Sequence, residues 1–101
     1  MIKVLIKSEG EKLRSLEVKG HANSAPHGED LVCAAVSAVI TGGANAIKNL
    51  KDFKIELKEG YASFKVINSL TSHDEIVMET IIVGLETIAE ENEQFIKIKN
   101  L

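Results

Sequence analysis

The apolar residues of this chain switch twice from a repeat of two to a repeat of about 3.6 and back, which restricts the fold to pairs of strands alternating with single helices. Residues 2–8 and 13–20 alternate on either side of Glu9-Gly10-Glu11 and predict a hairpin. Residues 53–58 and 61–67 do the same around Glu59-Gly60. Residues 95–99 (Phe-Ile-Lys-Ile-Lys) predict a last strand. The helical repeat covers residues 31 to about 49, and a second helix opens at Thr71 or Ser72, with Asp74 and Glu75 in its first turn. The second helix closes in the acidic stretch Glu90-Glu91-Asn92-Glu93. The order ββαββαβ predicts a two-layer α+β domain over residues 1–101, with a mixed sheet of about five strands packed on two helices.

The first helix is rich in small residues, and Gly42-Gly43 in its middle costs about 1 kcal/mol per glycine relative to alanine. Close approach of a sheet or of the second helix is the compensation to look for, with a kink as the alternative. The second helix carries an apolar stripe from Ile76 to Ile88, wide enough for contact with more than one layer. Tryptophan is absent and aromatics are 4%, so Ile, Val, Leu and Ala must build the core. Tyr61 and the three phenylalanines read as core or hairpin fillers.

The formal net charge is −3 and the pI is about 5.6. Such a balance supplies no global field for a phosphate backbone, so no direct nucleic-acid partner is expected. The longest apolar stretch, Leu31 to Ile40, is short of the roughly 20 residues of a membrane span, so no membrane partner is expected either. One cysteine rules out an internal disulfide, and no secretory leader pattern opens the chain. The expected location is therefore the cytoplasm, where a free thiol persists.

The chemistry-bearing residues cluster between the first hairpin and the first helix. Gly20-His21-Ala22 leads into a segment holding the only proline, followed by Gly28-Glu29-Asp30-Leu31-Val32-Cys33-Ala34-Ala35-Val36-Ser37. Asp30 reads as the helix N-cap. That cap would put Cys33 at the third helical position, where free N–H groups and the helix dipole favour a thiolate. A histidine at a strand end, facing a cysteine at a helix start, suits nucleophilic catalysis with His21 as base and Cys33 as nucleophile. The backbone N–H of Cys33 is a candidate oxyanion donor. His27 is the competing base, and His73 belongs to the capping region of the second helix without chemistry. Asp30 has a second role open to it, as orienter of the histidine. Ser37 lies one turn beyond Cys33, either lining the cleft or simply packing. His21, His27, Asp30 and Cys33 offer zinc-type ligands, but their spacing matches no common zinc pattern, and no metal or cofactor is expected. Gly20, Ala22 and Gly28 bound or occupy the segment between base and nucleophile and are expected to gate it.

The pattern Gly-His-Ala, a short loop, and then Gly-x-Asp-x-Val-Cys-Ala-Ala-Val-Ser resembles the ribosomal-processing cysteine protease family Prp over Gly20 to Ser37, with no departure from the motif. The small-residue helix and the element order extend the resemblance to the whole chain. The resemblance implies an α+β homodimer that removes a short N-terminal extension from large-subunit ribosomal protein twenty-seven. The cut would follow an aromatic-containing stretch and precede the basic mature N-terminus. The family's catalytic pair falls on His21 and Cys33, its conserved aspartate and serine fall on Asp30 and Ser37, and a mobile loop joins the pair. The alternatives are a non-catalytic ribosome-assembly or RNA-binding module and a structural dimerisation module.

Overall fold

The computed structural model describes the backbone of residues 1–20 and 27–101, and the side chains of residues 1–20 and 31–101. Strands β1 (Ile2–Glu9) and β2 (Lys12–Lys19) form the first hairpin and lead to helix α1 (His27–Ala46). A 3-10 turn at Leu50–Asp52 precedes β3 (Phe53–Lys58) and β4 (Tyr61–Val66), and α2 (Ser72–Glu90) leads to β5 (Ile96–Asn100). The sheet order is β3-β4-β2-β1-β5. All neighbours are antiparallel except β1 and β5, which run parallel in register from Ile2↔Ile96 to Ile6↔Asn100. This is the expected mixed five-stranded sheet with two helices.

Alternation decides which face the helices cover. Ile2, Val4 and Ile6 of β1, Leu16 and Val18 of β2, and Phe64 of β4 point one way and are buried. Val32, Val36 and Ile40 of α1 recur every four residues and pack onto that face. Val77, Met78, Ile81 and Leu85 of α2 complete the core. Phe53 and Phe64 are core fillers, as their sequence context suggests.

The helices meet through glycine. A Cβ at Gly43 would overlap the side chain of Ile81, and one at Gly84 would lie 2.9 Å from Val39 Cγ1. The close neighbour of the small-residue stretch is therefore the second helix. The wide stripe of α2 is only partly used, since Ile76 and Val83 remain 62% and 51% exposed.

Helix α1 differs from expectation at its C-terminal end. The helix stops at Ala46 rather than near residue 49, because its exit is tied to the entrance of α2. The buried Asp74 carboxylate accepts the N–H groups of Lys48 (2.9 Å) and Asn49 (3.0 Å), and His73 Nε2 donates to the Ala46 carbonyl (2.9 Å). Those groups are thereby withdrawn from helical pairing. Thr71 caps α2, its hydroxyl accepting the Asp74 N–H at 3.2 Å. Burial raises the Asp74 pKa, but the two backbone donors and the nearby His73 and Lys48 charges outweigh it and hold the carboxyl below its ordinary value.

The candidate active site

Cys33 lies on α1 and is half-buried. It lines a cleft of about 310 Å³. Val36 and Ile40 continue its helical face into the floor, and Ile2 and Val18 of the sheet close the floor beneath. Ser37, four residues after Cys33, lines the same cleft and is exposed. The opposite wall is the β3–β4 turn, Lys58 to Tyr61.

Gly20 fixes the approach to this cleft. Its φ is +112°, and a side chain there would run into the carbonyl of Met1, so only glycine fits. Its N–H donates to the Gly60 carbonyl at 3.1 Å, which joins the end of β2 to the β3–β4 turn. Gly20 itself lines the cleft that holds Cys33. His21 and Ala22 themselves lie outside the described residues.

Two expectations are corrected here. Helix α1 begins at His27, so Asp30 is its fourth residue and is not the N-cap, and Gly28 is helical rather than part of the connecting segment. Cys33 is then the seventh helical residue, about 9 Å along the axis from the start at 1.5 Å per residue. The dipole effect fades within the first turn and does not reach that position. An N–H at the seventh position is also committed to the carbonyl four residues back, so the Cys33 N–H is not a free oxyanion donor. The segment carries two opposed signals. Pro26 and Gly28 read as loop, yet proline is favoured at helix starts, and Glu29 and Asp30 suit a first turn as well as a cap.

Tyr61 is the residue that sequence reasoning passed over. It lines the Cys33 cleft and its hydroxyl donates to a Glu17 carboxylate oxygen at 2.9 Å. No local pattern signals this, because the turn meets the helix only through tertiary packing. A larger cavity of about 580 Å³ lies between α2 and the β1–β2 hairpin, lined by Met78, Ile82, Glu79 and Arg14 among others. It contains neither cysteine nor histidine, so size does not identify the reactive site. Among the described residues no group of His, Cys, Asp or Glu could hold a metal ion.

A model of the family described as cysteine protease Prp matches residues 1–97. The chain belongs to that family. It is 36% identical to the ribosomal processing cysteine protease Prp of Bacillus subtilis (strain 168), over 97% of this chain and 96% of the relative. The Prp protease of Staphylococcus aureus, in a crystal structure with a substrate peptide, superposes with a TM-score of 0.86 at 28% identity over the whole of both chains. A second structure of the S. aureus protease, with a covalently linked product peptide, gives a TM-score of 0.85 at 30% identity over the same span. The chain is accordingly a cysteine protease with the Prp fold.

Proposed function

We propose that this protease removes a short N-terminal extension from large-subunit ribosomal protein twenty-seven during ribosome maturation, with Cys33 as nucleophile and His21 as general base. The observation that carries the reading is the placement of the sole cysteine in an open cleft whose mouth is the strand end leading to His21. The ribosomal processing role named for its relatives, and the peptide complexes of the S. aureus protease, support the substrate class.

In this reading the thiol gives its proton to His21, and the sulfur attacks the scissile carbonyl. The tetrahedral intermediate collapses to a thioacyl enzyme as the imidazolium protonates the leaving amine, and water then releases the carboxylate product. With the helix start out of range, the imidazole is the group left to take the thiol proton. The Ser37 hydroxyl, exposed in the cleft, is the donor placed to hold a substrate carbonyl. Asp30, no longer a cap, keeps the role of orienting His21. The apolar floor of Ile2, Val18, Val36 and Ile40 suits an aromatic side chain of the extension.

Residues 1–101 act in this proposal as one domain, as a cytoplasmic homodimer without metal or cofactor. Incubation with the extended precursor should give one cut at the junction with the basic mature N-terminus, detected by intact mass. Prior alkylation of Cys33 should stop it, and unchanged cleavage by fully alkylated protein would refute the assignment.

A further inference from the structure

The overall charge of −3 conceals a strong segregation of charge by the fold. The face of the sheet opposite the helices carries the alternate strand positions, and the registers arrange them in rows across the strands. One row runs Lys58, Tyr61, Lys19, Lys3, Lys97, through all five strands. At about 4.8 Å per strand it spans roughly 19 Å. A second row runs Lys54, Lys65, Ser15, Lys7. Between them lies Glu56, Ser63, Glu17, Leu5, Lys99.

These three rows hold eight of the chain's 12 cationic side chains and two of its 15 acidic ones, and the pair Glu9↔Lys12 beyond them adds one of each to the face. Its net charge is +6, and the rest of the chain carries −9. All eight lysines are exposed. The two acids are each paired with a lysine in the same strand, Glu17 with Lys19 (3.4 Å) and Glu56 with Lys58 (3.2 Å). Lys3 sits directly opposite both Lys19 and Lys97, and Lys54 opposite Lys65. Like charges in such positions destabilise a sheet, and a bound polyanion removes that repulsion.

We propose that this face docks on the phosphate backbone of a nucleic acid, RNA in the setting of the proposed function. Only the choice of RNA rests on that reading. Linear rows of lysine point charges suit a chain of phosphates and carry no base-reading fork. A second copy cannot place the same face here, because two +6 surfaces repel. A membrane is a poorer fit, since no strand position on the face holds an exposed large apolar side chain to enter the bilayer. The row beginning at Lys58 and Tyr61 starts at the lip of the Cys33 cleft, so docking would set the cleft beside the polyanion.

The test is binding of a short fluorescein-labelled oligouridine by anisotropy, with salt varied from about 50 to 200 mM. The wild-type protein should bind, with a log–log salt slope of about −0.7 for each phosphate contact. Lys3→Gln/Lys65→Gln/Lys97→Gln should lose at least tenfold in affinity at low salt and flatten the slope by about two. Arg14→Gln/Lys48→Gln/Lys51→Gln removes the same charge from other surfaces and should leave both values near wild type. Cleavage of a free peptide should be unaffected in the first triple variant, which separates this proposal from the peptidase assignment. Absence of binding at low salt, equal losses in both triple variants, or stronger capture by phosphatidylserine–phosphatidylcholine vesicles than by the RNA would overturn it.

Discussion

The cleft requires different things of its two histidine candidates. His21 follows Gly20 in sequence, and Gly20 is held by its hydrogen bond to Gly60 and lines the cleft. His27 opens α1, six helical positions before Cys33. His21→Ala should lower kcat/KM by a factor of 10² or more, in the range of a lost general base, whereas His27→Ala should change it by only a few-fold. The reverse ranking in a peptide-cleavage assay would assign the base to His27. The place of Cys33 on the first helix was legible from residue order, because the helical repeat around it is a local pattern. The wall formed by Tyr61 was not, since it depends on where the second hairpin lands. The start of α1 was misplaced because Pro26, Gly28 and Asp30 each fit two positions around a helix terminus.

At the level of elements, the glycine pair in α1 separates into two opposite cases. Gly42 has open space where a Cβ would go, and Gly42→Ala should stabilise the fold by about 0.5–1 kcal/mol through helix propensity. Gly43 faces the buried Ile81, and Gly43→Ala should destabilise by roughly 1–2 kcal/mol as the helices are forced apart. Urea midpoints of the two variants should therefore move in opposite directions. The junction of α1 and α2 gives a pH signature. Because the Asp74 carboxyl titrates below its unfolded value, its contribution is present at neutral pH and is lost as pH falls through the folded value. Asp74→Asn should lower stability at neutral pH and flatten the decline of the urea midpoint between about pH 5 and pH 2. Alternation and capping made the strands and α2 legible. The early end of α1 was not, because the Asp74 contacts span 25 and 26 residues of sequence.

The whole molecule is a sheet with one face sealed by helices and the other lined with lysine. That polarity is written in the two-residue repeat of the strands, yet total charge averages it away. Composition alone therefore argued against nucleic acid, while register assembles a basic surface. A second exposed surface is the outward stripe of α2, where Ile76 and Val83 stand seven residues apart and exposed. If that stripe serves the proposed homodimer, Ile76→Lys/Val83→Lys should yield a monomer by sedimentation while retaining the far-ultraviolet circular dichroism of the native chain. A dimer of unchanged stability would place the contact elsewhere.

Substitution of one sulfur tests the account most directly. Cys33→Ala, purified and shown by thermal unfolding to be folded like wild type, is incubated with the extended ribosomal precursor and followed by mass spectrometry. The precursor should remain whole while wild type converts it to the mature protein and the freed extension. Appreciable conversion by the alanine variant would contradict the assignment of Cys33 as the attacking group.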